Sequence, residues 1–378
     1  MRWFETLAAA LFTLDMTGSG FAVAVVSAAR TMPMFLLGAF SGVVSEALNR
    51  KQVLVVGQIV TGVASGSVAL LAWMGVAQPW HVAVAAAVAG VVWSTEMATR
   101  RRMVGECVDG PLVSRALALD TMSNSFTRLL GPICAGAIYQ RLGLAGCFTV
   151  SACFYAFAAV LASGLAYRQT TRRLILGNVP RELAEALRYV RHDVVIGGVL
   201  LVTIVMNLMG FPYAALIAPI GRMVFGVSPM LVGILAAAES FGAFLGGAVL
   251  TSREPRINGR ILMVGGSLIF LACVIAMPQA PGFWIACMLL TIGGFGSAAF
   301  ANMQTSLIVL HAPSAIRSRL MGLLTVCIGA GPLGILLMGA IAAFLGPMMA
   351  IDLVASGGFV LVCVSGLVWR GRERRAAA

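Results

Sequence analysis

The chain has 378 residues, of which 60% are hydrophobic and 11% charged, against about 25% charged and at most about half apolar in soluble domains. So few charges cannot cover a soluble fold of this length, which leaves a protein that crosses the bilayer many times. The formal charge of +12 would suggest a nucleic-acid partner in a soluble chain, and here its distribution decides the matter.

Trp3 to Met16 is apolar apart from Glu5, Thr6, Thr13 and Asp15, yet shorter than the roughly 20 residues a crossing helix needs. Glu5 and Asp15 interrupt any signal-peptide core, so we expect the outer end of a first helix whose beginning is missing from this sequence. Apolar runs between charge clusters then place spans at 21–44, 53–75, 80–98, 116–140, 143–167, 194–216, 229–250, 261–277, 283–308, 320–345 and 347–369. With the N-terminus in the cytoplasm, all but four of the 26 Lys and Arg fall in cytoplasmic segments. Arg141 and Arg222 lie outside, and Arg30 and Arg128 within spans. The positive-inside rule therefore predicts twelve spans in the cell (inner or plasma) membrane with both termini cytoplasmic. The positive charge marks topology, not a nucleic-acid surface.

The longest hydrophilic stretch divides the spans six and six. The expected domains are a six-helix bundle over 1–167, a cytoplasmic linker over 168–193, a second bundle over 194–370 and a tail over 371–378. Within the linker Pro180 opens a helical pattern with Leu183, Leu187 and Val190 on one stripe and Arg181, Glu185, Arg188 and Arg191 opposite. Such a helix lies on the cytoplasmic membrane surface or crosses solvent as a linker.

Equal halves invite a search for duplication. Gly131-Pro132 precedes G-A-I-x-x-x-L-G at 136–143, and Gly331-Pro332 precedes the same pattern at 339–346. A Ser-Arg pair stands ahead of each, at 114–115 and 318–319. Three landmarks in one order predict two parallel six-helix repeats, an arrangement that resembles the Major Facilitator Superfamily. Gly42-Val-Val-Ser-Glu46-Ala-Leu-Asn-Arg50-Lys51 resembles that superfamily's loop signature G-x-x-x-D-R-x-x-R-R, with Glu46 for the usual Asp and Ala47 for the following basic residue. The resemblance implies a cytoplasmic gate made of Gly42, Glu46, Arg50 and Lys51. Thr17-Gly18-Ser19 followed by Pro33, Arg128-x-x-Gly131-Pro132, and Arg317-x-Arg319-x-Met-Gly322 before Pro332-x-Gly334 resemble the efflux branch that includes enterobactin exporters. Gly131, Pro132, Gly136, Gly331, Pro332 and Gly334 would form its helix-packing motif, which in the fifth span resembles that of antiporters.

By that resemblance the fold is an all-α integral membrane Major Facilitator fold of twelve helices. The function is proton-coupled, alternating-access efflux of a small amphiphilic molecule (drug or siderophore-like) by a monomer that needs no cofactor. An importer of a small metabolite, or a transport-dead sensor or scaffold, could use the same architecture. A lipid-processing enzyme would want clustered Asp, or His with carboxylates, at a membrane surface, and the sequence has no such cluster. Its eight cysteines form no CxxC pair, so no metal site is expected.

Ionisable groups inside the bilayer each need a partner, a wet cavity or a task. Asp120, Asn124 and Arg128 share one helical face at i, i+4 and i+8 of the fifth span. Glu239, among small residues in the middle of the eighth span, is a candidate proton carrier, and both it and Arg128 fall near the midplane, where an ion pair is expected in at least one access state. At about 1.5 Å per residue, Glu5 lies about 16 Å and Arg30 about 14 Å from the outer ends of adjacent antiparallel helices, so they should pair. Asn207, central in the seventh span, faces either substrate or a neighbouring helix. Asp15, Glu96 and Asp352 are close enough to an interface for solvation or snorkelling. Trp93, Phe211, Tyr213, Phe241 and Phe295 line a cavity or pack.

Reporter fusions after residues 110, 180 and 256 are expected to report the cytoplasm, and one after 280 the far side. A single exchange among these assignments would break the charge argument.

Overall fold

The structure, a computed structural model, describes all residues except 48, 109, 166, 168–178, 191–192, 253–257, 314–315 and 378. In hydrocarbon each backbone N–H must find its acceptor within its own segment, so long apolar runs become helices. Five lead the chain: α1 (Arg2–Thr17), α2 (Gly20–Ala47), α3 (Arg50–Trp73), α4 (Pro79–Glu106) and α5 (Gly110–Ser163). Their ends carry recognisable stops and starts. Gly18, with φ at 62°, donates its N–H to Leu14 and closes α1 as a left-handed cap. The Asn49 side chain accepts the N–H groups of Lys51 and Gln52 and starts α3.

The amphipathic helix α6 (Val179–Val190) follows, then α7 (Val194–Val205), begun by Asp193 accepting the Ile196 N–H. Beyond α7 the chain continues through a π-helical turn (Met206–Gly210), a 3-10 turn (Phe211–Leu216), α8 (Ile217–Pro219) and a second π turn (Ile220–Val224). The seventh apolar segment thus runs on to Val224, beyond the expected end at 216. Pro212 and Pro219 explain its irregularity, because each removes a donor from the ladder. The chain ends with α9 (Pro229–Ser252), α10 (Gly259–Ala276), α11 (Phe283–His311), α12 (Arg317–Gly329) and α13 (Gly331–Ala377).

Among the described residues, eight stretches are long and apolar enough to cross a membrane, fewer than the twelve spans counted from the charges. Two of the eight, 45 and 53 residues long, contain more than one helix. α5 breaks at Gly143 (φ 60°, ψ −159°) and α13 at Gly346 (φ 82°, ψ 164°), with no intervening loop. At 16 residues α1 falls short by length.

Large apolar side chains point outward. Phe157 is 60% and Val160 68% exposed, a surface that lipid solvates and water would penalise.

The chain forms two compact units, Met1–Leu176 with Val227–Ala237, and Gly177–Gly226 with Ala238–Ala378. The first segment of α9 therefore belongs with the N-terminal helices, not with the C-terminal bundle where the sequence boundary put it. Its place follows from small residues. A Cβ on Gly136 would collide with the Pro229 carbonyl, and one on Gly233 with that of Pro132, so α5 and the start of α9 meet backbone to backbone. Within the first unit α2 packs on α4, and α5 on both α1 and α3. Within the second, α10 packs on α11 and α13, and α13 also covers the irregular segment after α7.

The linker helix differs from its sequence pattern. Ala186 is buried while Leu187 is 49% exposed, and Glu185 pairs with Arg319 of α12. The side chains of Arg181 and Leu183, and all of Arg191, lie outside the described residues. Burial, and then the charge of Asp193 3.3 Å away, push the Tyr189 phenol above its usual range.

Both helix-breaking glycines occupy backbone conformations essentially closed to other residues, at about 1–3 kcal/mol per substitution. Gly143→Ala and Gly346→Ala should each lower the melting temperature of the purified protein. Gly265→Ala and Gly322→Ala, where a methyl group meets open space, should leave it nearly unchanged.

Candidate transport site

The first unit holds a carboxylate satisfied from four directions. Glu5 of α1 is only 2% exposed. Its Oε2 accepts from Arg30 Nη1 of α2 at 3.1 Å and from the Tyr155 hydroxyl at 3.4 Å. Its Oε1 accepts from Ser65 Oγ of α3 and Ser151 Oγ of α5, both at 2.6 Å. The ion pair expected from matching depth is present. A cavity of about 10 Å³ beside it, lined by Glu5, Arg30, Ser65 and Phe148 among others, is about the least that admits one water.

Arg128 lies in the same unit, with its guanidinium 5.2 Å from the centre of the Trp3 ring. The close approach of α1 and α5 puts it there. A Cβ on Gly131 would press on Trp3 and on the Phe4 nitrogen. Arg2 stacks 3.4 Å above Trp93 of α4 and lies 4.8 Å from the Trp3 ring. Asp120, expected beside Arg128, is bound instead to Arg100 of α4 at 3.2 Å, and Asn124 is exposed. The three-residue stripe is a single face in sequence, but its ends take different partners. Glu96 accepts from Gln58 Nε2 at 2.9 Å, and Asp15 from the Tyr139 hydroxyl at 2.8 Å, so both have protein partners beyond the solvation first assigned to them.

Of the residues expected to form a gate, Arg50 is buried and donates to the Tyr167 hydroxyl at 2.7 Å, while Lys51 is half-buried. The side chains of Gly42 and Glu46 lie outside the described residues.

In the second unit Glu239 of α9 is buried, with Ser297 Oγ of α11 2.5 Å from its Oε1. Gly294 allows this, since a Cβ there would strike the Glu239 carbonyl. Arg128 belongs to the first unit and Glu239 to the second, and each is described with its own neighbours. Asn207 donates to the Thr203 carbonyl one turn back at 2.9 Å, inside the irregular segment, and that segment is backed by Gly334, whose Cβ would strike the Leu208 carbonyl. Gly331 faces the Asn207 carbonyl more loosely. The two Gly-Pro pairs differ locally, because Pro132 lies inside α5 whereas Pro332 follows a one-residue interruption at Ala330 between α12 and α13.

Residues 2–377 match the family model described as transmembrane secretion effector. The chain belongs to that family of Major Facilitator transporters. Relatives of this transporter include the multidrug efflux pump Tap of Mycolicibacterium fortuitum, 23% identical over 348 residues, covering 87% of this chain and 82% of that one. The Tap pump of Mycobacterium tuberculosis (strain ATCC 25618 / H37Rv) is 24% identical over 350 residues, covering 86% and 80%. Among solved structures, a bacterial homologue of the human lysosomal transporter Spinster superposes with a TM-score of 0.73 at 14% identity, covering 99% of this chain and 94% of that one. The nucleoside transporter NupG gives 0.68 at 14% identity, covering 96% of each. These likenesses establish the Major Facilitator fold.

Sequence reasoning missed the hydroxyls of this transporter's Glu5 site. Ser151 and Tyr155 stand one turn apart in a mostly apolar span, a spacing that marks a polar stripe, whereas nothing in the sequence joins them to Glu5. Ser297 was missed for the same reason.

Removing Arg30 would leave a buried carboxylate uncompensated, at a cost of about 3–5 kcal/mol. Arg30→Ala should lower the thermal stability of the purified protein more than the Glu5→Gln, Arg30→Ala double exchange does. Equal losses would mean that the charge itself is not what Arg30 compensates.

Proposed function

We propose that this transporter exports a small amphiphilic molecule in exchange for protons, and that the proton binds at Glu5. The observation that carries this reading is the fourfold coordination of that carboxylate. Glu5 joins α1 to α2, α3 and the second arm of α5. A proton on it removes the charge that Arg30 answers and turns one acceptor into a donor, so at least one of the bonds now donated to it must invert or break. A local proton thereby becomes a change in how four helices are held, as coupling requires. Glu239 against Ser297 supplies a second buried carboxylate, whose protonation would act on the α9–α11 contact in the same way.

Export is the direction favoured by the names of the efflux pumps to which the chain is similar. Both termini lie in the cytoplasm of a cell-membrane protein on this reading, following the charge asymmetry. Arg50, held by Tyr167, would help close the cytoplasmic side.

The test uses everted membrane vesicles energised to an acidic interior, with a pH-sensitive acridine dye reporting proton release. Amphiphiles of both charges, among them fluorescein and ethidium, are added in turn. Wild-type protein should release protons on addition of at least one of them, and Glu5→Gln should lose the response to all at equal abundance. Proton release unchanged in Glu5→Gln, or absent in the wild type for every compound, would overturn the reading.

A further inference from the structure

Glu5, Glu96 and Asp120 stand within the helices of the first unit, and arginines hold two of them. Glu5 meets Arg30 at 3.1 Å and Asp120 meets Arg100 at 3.2 Å. Glu96 of α4 is half-buried, and among the described residues no cation comes within ion-pair distance of it. Its hydrogen bond comes from a neutral amide, Gln58 Nε2 of α3, at 2.9 Å. A carboxylate paired with an arginine loses that ion pair when it takes a proton. One held by an amide loses nothing comparable, because Nε2 donates to the ionised form and, once the amide turns over, Oε1 accepts from the acid. Gln58 thus suits both protonation states of Glu96.

Gln58 also shares a helix face with the Glu5 site. Gln58, Gly62 and Ser65 stand at i, i+4 and i+7 of α3, on one side of the helix. Gln58 holds Glu96 at one end, and Ser65 donates to Glu5 Oε1 at the other. Between them a Cβ on Gly62 would press on Tyr155 Cβ at 3.2 Å, so the tyrosine of α5 lies over the gap. Its hydroxyl reaches Glu5 Oε2 at 3.4 Å, and it is within electrostatic reach of both acids. Gln58 is about 10 Å nearer than Ser65 to the start of α3 at Arg50, at about 1.5 Å per residue, so the line descends toward the cytoplasmic end on the proposed topology. One turn beyond Glu96, Arg100 is 45% exposed, and an arginine exposed there faces water, not lipid. Arg100 and the amino group of residue 1 are within electrostatic reach of Glu96. The Arg30 backbone of α2 meets Gly90, more than a turn away along α4, and α5 presents Tyr155 and, beyond Arg100, Asp120. The amide contact and the α3 line hold whatever charge residue 1 carries.

We propose that Glu96 is a second proton-binding site, and that protons pass between it and Glu5 along this face of α3 by way of the Tyr155 hydroxyl. A proton leaving Glu5 Oε2 enters a lone pair of the tyrosine oxygen as the hydroxyl's own proton departs toward Glu96. Glu5 ends ionised, Tyr155 unchanged and Glu96 an acid. Gln58 is the positioning residue. The route rests on the reading that Glu5 binds the transported proton, and it adds the way that proton meets the cytoplasmic side. Proton binding at Glu96 can be measured without transport.

The experiment uses the purified full chain in phosphatidylcholine nanodiscs. Proton binding is read by infrared difference spectroscopy between about pH 4 and about pH 9, a window that starts within the usual carboxylate range and extends well above it. The wild type should show a titrating carbonyl band of a protonated acid that Glu96→Gln removes, Glu96→Asp retains and Gln58→Leu moves to another frequency. A difference spectrum of folded Glu96→Gln identical to that of the wild type overturns the proposal. Where that variant fails to fold, an unmoved spectrum in Gln58→Leu overturns it instead. Everted vesicles test the route, with whichever of fluorescein and ethidium the wild type answers. Glu96→Gln and Tyr155→Phe should each slow proton release about a hundredfold, the lower end of what a positioned proton-transfer group contributes, and Glu96→Asp should restore much of it. Glutamine can still bond to Gln58, so a merely structural contact would survive that exchange, and wild-type rates in either variant at equal abundance overturn the route. Should the Glu96 band titrate while no compound releases protons from wild-type vesicles, the proton site stands and antiport falls, taking the route with it. Should release depend on Glu5 yet proceed unchanged in Glu96→Gln, the route falls and antiport stands.

Discussion

An ionised carboxylate persists in an apolar bundle only when its oxygens are matched by donors, because hydrocarbon offers none and the cost of stranding the charge is several kcal/mol. Glu5 meets that constraint with partners 25, 60, 146 and 150 residues away along the chain. Each partner fixes a depth and a rotation for its helix, since a hydroxyl displaced by one residue would face another direction. The registration of α2, α3 and the second arm of α5 around α1 is thus set by a single side chain. Alanines close the remaining distance. Ala8 and Ala24 are fully buried, so backbones approach closely enough for short serine side chains to reach the acid.

The second unit uses the same device on a smaller scale. Glu239 faces Ser297 across a contact between α9 and α11 that only glycine permits. Similar Gly-Pro and G-A-I-x-x-x-L-G landmarks stand at 131–143 and 331–346, but their local outcomes diverge. Pro132 is absorbed into a continuous helix, whereas the interruption ahead of Gly331-Pro332 leaves α13 to start afresh and to lean on the π and 3-10 turns around Asn207. Repeated motifs therefore preserve close packing more faithfully than they preserve helix geometry.

Much of this was legible from residues alone. Apolar length located the helices, and the depth of Glu5 and Arg30 was enough to join them because consecutive spans run antiparallel. The partners from distant helices were not legible, because Ser65, Ser151 and Ser297 look like ordinary small packing residues until the bundle shows which faces meet. Asp120 misled in the opposite way. It shares a helical face with Arg128, but α4 brings Arg100 closer, and a charge goes to the nearest available counter-charge. The passage from Met206 to Val224 did carry a signal in Gly210, Pro212 and Pro219, which counting hydrophobicity ignores and donor bookkeeping along the backbone would have caught.

The breaks at Gly143 and Gly346 bear on how the polypeptide is made. Each breaks the helix at one residue between two long apolar arms, and the two breaks are 203 positions apart. No hydrophilic loop separates the arms, so the biosynthetic machinery has no segment there to carry across the bilayer by itself. The two arms of α5, and likewise those of α13, would then have to enter the membrane as joined pairs. The second arm of each would partition only once synthesis has passed the glycine.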